Sequence, residues 1–220
     1  MDNFFLKTKT HRVLTWPARG ILCGCILVGV YFSIPAAKHA VIWFTVDVDP
    51  PAPTSHLVVE NWNGSIGVFE QANAIAAEVG HPQIWALVNL PPYFEERTRR
   101  ESMSNAWAAG IDTSRFSLLL VPPREPKTFN NAKAIIDTAS KLGWNELTLA
   151  TAVFHSGRSK KALLYFAEPK GIKVRVLPWF EEGTTLSDWY ETDAGQAAVF
   201  NEFLKMFFYD IYVFKLHSIG

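Results

Sequence analysis

Five short apolar runs between residues 56 and 209 are each followed by a segment of helical length, and that alternation leaves the chain few architectures. His56–Val59 precedes Ser65–Glu78, Ile84–Val88 precedes Glu95–Ala109, and Phe116–Val121 precedes Phe129–Leu142. Glu146–Val153 then precedes Ser159–Ala167, and Lys173–Leu177 precedes Ala194–Tyr209. Repeated strand–helix units imply parallel crossovers, because a tight hairpin cannot join parallel neighbours. The runs are continuously apolar, as in Ser117-Leu118-Leu119-Leu120-Val121, so both faces of the sheet are expected to be covered. The expected fold class is α/β, a three-layer Rossmann-like open parallel sheet of about five strands. A hydrophobic content of 49% supports such a core and excludes a disordered chain. In the last helix Val199, Phe200, Phe203, Leu204 and Phe207 recur at helical spacing, which predicts a core-facing stripe.

A net charge of zero argues against a general nucleic-acid binder, so no nucleic-acid partner is expected. The sum conceals an asymmetry. Lys7, Lys9, Arg12, Arg19 and Lys38 face only Asp2 in residues 1–38, leaving 16 basic against 20 acidic residues beyond them. Between Arg19 and Lys38, Gly20–Ala37 carries no charge, and as a helix it would extend about 27 Å, close to the thickness of a hydrocarbon core. The preceding cations place the N-terminus in the cytoplasm by the positive-inside rule. The organisation read from this is a basic cytoplasmic N-terminus (1–19), a single transmembrane signal anchor (20–37), a Pro-rich linker (38–55) and an exported α/β domain (56–220), with a membrane as partner. A cleaved signal peptide is the competing reading, but Ala36-Ala37-Lys38-His39-Ala40 offers no clean small-x-small site. Cys23 and Cys25 both fall in the anchor, so the exported part holds no disulfide, thiolate metal site or cysteine nucleophile. The aromatic C-terminus, with Phe208, Tyr209, Tyr212 and Phe214, has two readings, core packing or contact with the membrane interface.

Ligands of open parallel sheets bind beyond the carboxyl ends of the strands, so the loops there hold the candidate residues. After the fourth strand, Ser156 reads as a helix N-cap, and Arg158 places a cation at the positive end of the helix, a location that favours a shared anion. His155 beside it is a candidate proton-transfer group. After the third strand come Arg124 and Lys127, then Thr128 as a candidate N-cap with Asn131 three residues on. Together with Arg158 these residues suit a phosphate, pyrophosphate or carboxylate. Glu60, Asn61 and Asn63 after the first strand, and Glu125 after the third, are further possible site groups. The acids and the single loop histidine lack metal-ligand spacing, and the GxGxxG, GxxxxGK[ST] and GxSxG signatures are absent, so neither metal nor cofactor is expected.

The run Lys127-Thr128-Phe129-Asn130-Asn131-Ala132, with Leu147-Thr148-Leu149-Ala150-Thr151-Ala152-Val153-Phe154-His155-Ser156-Gly157-Arg158, resembles the bacterial YdcF/SanA/ElyC-like family, the DUF218 domain. There a Thr-x-x-Asn-Ala type motif opens one helix and a Thr-x-x-x-His-x-x-Arg type motif leads into the next. The segment from Asp188-Trp189-Tyr190 to Glu202-Phe203-Leu204-Lys205 resembles the branch found near exopolysaccharide genes. The resemblance implies a role in cell-envelope or surface-polysaccharide biogenesis, on a phosphorylated intermediate of the lipid-linked glycan type, with Thr128, Asn131, His155 and Arg158 as matching site residues. For a cytoplasmic domain it implies a nucleotide or S-adenosylmethionine type ligand instead. The family's Gly-rich turns are replaced by Val59-Glu60-Asn61-Trp62-Asn63-Gly64 and Asn89-Leu90-Pro91-Pro92, and the alternative is a non-catalytic scaffold of an envelope assembly complex. Whether the chain is an enzyme stays open at this point.

Overall fold

The computed structural model describes residues 6–7, 13–14, 38–60, 65–90, 95–181 and 185–213. They fall into two units, Met1–Val41 and Ile42–Gly220. In the first unit β1 (Leu6–Lys7) pairs antiparallel with β2 (Val13–Leu14). The expected anchor, 20–37, lies outside the described residues. Among those described, no helix is long and apolar enough to cross a membrane.

The second unit is built on five strands, β3 (His56–Glu60), β4 (Gln83–Asn89), β5 (Phe116–Val121), β6 (Glu146–Ala152) and β7 (Lys173–Trp179). All pair in parallel in the order β5-β4-β3-β6-β7. The chain therefore starts in the middle of the sheet, builds outward to β5, then returns to the other side of β3. Between β3 and β6 the direction of winding reverses, which opens a crevice at their carboxyl ends.

Helices α2 (Ile66–Glu78), α3 (Glu95–Ala108), α4 (Lys127–Lys141) and α5 (Ser156–Ala167) connect the strands. Leu57, Val59, Ile84, Ala86 and Ala150 pack with Phe69 and Ala72 of α2 and Ala106 of α3. On the opposite face, Val58, Leu87, Leu147 and Leu149 pack with Ile135 and Ile136 of α4 and Leu163 of α5. The alternation within β3, where Leu57 and Val59 face one layer and Val58 the other, is the period-2 geometry of a strand covered on both sides. Each such side chain, taken fully out of water, contributes about 1.5–3 kcal/mol.

Two features differ from the sequence reading. Residues 38–45 are helical (α1). The rest of the expected linker is bonded to the sheet: the Asp49 amide donates to the Val176 carbonyl at 2.8 Å, and the Val176 amide donates to the Asp49 carboxylate at 2.8 Å. This segment closes part of the otherwise open edge of β7. The stripe expected on the last helix, α6 (Asp193–Phe208), is the second difference. Val199 is buried, but Phe200, Leu204 and Phe207 are exposed. α6 follows the last edge strand, and among the described residues no second layer covers its outer face.

Candidate functional site

The crevice between β3 and β6 is filled by a buried polar network. At the end of β3, Glu60 is 2% exposed, and its Oε2 accepts from Thr151 Oγ1 at 2.6 Å and Ser159 Oγ at 2.8 Å. His155 Nε2 lies 3.8 Å from the same oxygen. After β6 a 3-10 turn, Val153–His155, leads directly into α5 and turns the His155 ring inward, with Arg158 one helical turn further on. Ser156 is the first helical residue rather than the cap. Its hydroxyl donates to the Val153 carbonyl at 2.6 Å and accepts from the Asp47 amide at 3.1 Å.

Arg158 is 6% exposed, and a carboxylate meets it. Its Nε donates to Glu202 Oε2 at 3.0 Å and its Nη2 donates to both carboxylate oxygens, at 3.0 and 2.8 Å. Nη1 donates to the Thr128 hydroxyl. The face of the guanidinium lies 5.1 Å from the centroid of the Tyr209 ring. The anion favoured by a cation at this helix start is thus supplied by the protein itself, from α6. This bidentate arrangement is the strongest geometry open to an Arg–carboxylate pair.

His155 joins the pair. Its Nδ1 is 3.0 Å from Glu202 Oε2 and 2.7 Å from Arg158 Nη2. With a proton on Nδ1 the ring donates to Glu202; without one it accepts from Arg158. Lys205, one turn along α6, donates to Glu202 Oε1 at 2.9 Å. Burial alone would raise the Glu202 carboxyl, but the hydrogen bond from His155, the charges of His155 and Arg158, and the Lys205 hydrogen bond outweigh it. They hold the carboxyl well below the usual carboxylate range.

A cavity of about 210 Å³ opens against this network, lined by Phe154, His155, Arg158, Glu181, Glu202 and Lys205. A second, of about 780 Å³, lies at the start of α2 against Ser65, Gly67, Gln71, Trp179 and Phe180, and Glu181 lines both. The Gln71 side chain closes one wall, donating to the Phe180 carbonyl at 2.7 Å and accepting from the Phe180 amide at 2.8 Å.

The structure brings together His155, Arg158, Thr128 and Glu60. Thr128 is the second residue of α4, whose N-cap is Pro126, so its hydroxyl serves Arg158 rather than capping the helix. Asn131 is buried nearby in sequence, and its Nδ2 has no hydrogen-bond partner among the described residues. Arg124, Lys127 and Glu125 are exposed and do not join the cluster. Two backbone amides at the start of α4 are also taken: that of Lys127 donates to Glu125 at 3.2 Å and that of Phe129 to the Tyr209 hydroxyl at 3.4 Å. Asn61 and Asn63 lie outside the described residues. Among those described, no group of three or more side chains is placed to hold a metal ion.

Sequence reasoning missed Glu202, Ser159, Thr151 and Tyr209 as members of the site. Only Glu202 carried a signal, as a lone acid inside the apolar run Val199-Phe200-Asn201-Glu202-Phe203-Leu204. No protein-family model matches the chain, and no curated protein matches it. The family resemblance rests on the residues quoted for it.

Proposed function

We propose that this chain is a membrane-anchored, extracytoplasmic α/β protein of bacterial cell-envelope or surface-polysaccharide biogenesis, and that it binds a phosphorylated intermediate of the lipid-linked glycan type in the cavity beside Arg158. The observation that carries the reading is the convergence of Arg158, His155 and Lys205 on one carboxylate at the cavity wall, with Thr128 holding the remaining nitrogen of Arg158. A phosphate presents the same bidentate acceptor edge as that carboxylate and one more negative oxygen. Glu202 holds the seat in the free protein, and the ligand's phosphate takes its place on the Arg158 fork. The displaced carboxylate moves toward the open part of the cavity. His155 is then left facing the phosphate, and its Nδ1 is the atom placed to give or take a proton. The charge pattern around residues 20–37 and the resemblance to the YdcF/SanA/ElyC-like family support the envelope assignment.

One observation favours a second reading: all three Arg158 nitrogens already have partners within the protein. In that reading Glu202 is a permanent lock and the domain is a non-catalytic scaffold of an envelope assembly complex. Calorimetric titration of the full-length protein with glucose 1-phosphate separates the two. Under the first reading wild type binds, Glu202→Gln binds about tenfold more tightly, a gain of about 1.4 kcal/mol, and Arg158→Ala does not bind. If folded Glu202→Gln takes up no phosphosugar, the ligand-binding reading fails and the scaffold stands.

A further inference from the structure

The outer face of α6 carries an exposed apolar patch, uncovered among the described residues. Phe200 is 61% exposed, Leu204 49% and Phe207 57%, and they recur every three to four residues, so they share one side of the helix. Ile211, four residues on, is also exposed. Between Asp193 and Asp210 the only acid on α6 is Glu202, which is turned inward onto Arg158. Asp210 is itself paired with Lys161 at 3.0 Å. A strip this apolar and this short of negative charge is unusual on a surface in contact with water.

Its neighbourhood bears on what could cover it. The Phe203 ring, on the same helix, lies 5.4 Å from that of Phe44 in α1. Next to Phe44 in the chain, Trp43 is 84% exposed. Residue 37, the end of the uncharged stretch, is seven residues before Phe44, and seven residues of chain reach at most about 25 Å. A membrane-spanning segment ending at residue 37 therefore holds Phe44, and with it α6, within one short tether of the bilayer surface. Aromatic and aliphatic side chains with a lysine at the edge are what the interfacial region of a bilayer accommodates, the lysine stem lying along the apolar surface with its ammonium in water. Lys205, next to Leu204 in the chain, has a half-exposed side chain whose ammonium is held on Glu202 at 2.9 Å, so its stem borders the strip.

We propose that the outer face of α6, together with Trp43, rests in the interfacial layer of the membrane that holds the anchor. The proposal rests on the anchored reading of residues 20–37. It also gives the cavity a fixed aspect, since α6 carries Glu202 on its inner side and the apolar strip on its outer side. A ligand with a lipid tail then reaches Arg158 without leaving the bilayer surface.

Full-length protein carrying Cys23→Ser and Cys25→Ser, with a polarity-sensitive fluorophore on Leu204→Cys, is reconstituted into vesicles of phosphatidylethanolamine and phosphatidylglycerol. Matching samples carry the fluorophore on Phe207→Cys, to guard against a local effect at one position, or on Lys141→Cys, an exposed site at the end of α4. A lipid-attached quencher should dim the two α6 probes at least about threefold more than the α4 probe. Equal quenching at all three positions, in protein that floats with the vesicles, overturns the proposal while leaving the anchor intact. Shielding of the α6 probes from water that is insensitive to lipid quencher and lost on dilution assigns the face to a second copy and also overturns it. Protein that does not float with vesicles overturns both this proposal and the anchored reading beneath it.

Discussion

Arg158 and Glu202 show what a single residue contributes at this site. Two carboxylates, the buried Glu60 and the partly buried Glu202, share the crevice with one guanidinium, and the ammonium of Lys205 reaches Glu202 from its rim. Glu202 is ionised far below the ordinary range, although burial opposes this, because His155, Arg158 and Lys205 all favour its charged form. A carboxyl whose pKa is depressed by folding stabilises the fold fully above its ordinary value of 4.5, and that contribution is lost as the pH falls below it. Glu202→Gln keeps an acceptor for Arg158 but removes the charge, so it should lower stability at neutral pH by about 2 kcal/mol. The deficit should shrink steadily on acidification, since wild type then loses what the variant never had. Urea unfolding at a series of pH values checks this, and a deficit that does not change with pH would show that Glu202 contributes packing rather than charge. The sequence places Arg158 at a helix start, which favours an anion nearby, but it does not say that the anion is an internal carboxylate 44 residues away.

Among the elements, α5 and α6 decide the site. The start of α5 is pressed against the end of α1: a Cβ on Gly157 would stand 2.6 Å from the Thr45 carbonyl oxygen. Gly157 is therefore required for this close approach. Gly157→Ala should cost about 1–3 kcal/mol through displacement of backbone. Limited proteolysis should then cut between residues 46 and 54 before the domain unfolds, and an unchanged cleavage pattern would show that α1 yields at no cost. Periodicity identified α6 and its apolar side correctly but not that side's surroundings. The spacing of Phe200, Leu204 and Phe207 defines a face, while burial depends on whether another layer lies over it.

At the scale of the molecule, the stretch read as a Pro-rich linker is bonded to the sheet and to α5. Lys160 is bonded to Asp47 at 2.7 Å and Asp49 at 2.9 Å. Burial alone would lower its pKa, but these two carboxylates outweigh it and the net shift is upward. A chain begun at Pro53 loses both acids, the backbone bonds of Asp49 to β7 and the contact of Phe44 with Phe203. It should melt several degrees below one begun at Lys38, as a loss of about 1–2 kcal/mol implies for a domain of this size. Equal melting temperatures by calorimetry would return residues 38–52 to the role of linker. The sequence by itself determined the five parallel strands, their covering helices and the position of Thr128, His155 and Arg158 beyond the ends of the third and fourth of those strands. Those features follow from local periodicity and from the position of each residue relative to its own strand end, which short segments encode. Only the tertiary structure decided the strand order, the partnership of Glu202 with Arg158, the buried role of Glu60 and the exposure of α6. Each of these depends on which distant segments meet across the β3–β6 crevice, and that meeting is set by packing of the whole sheet rather than by any one stretch of chain.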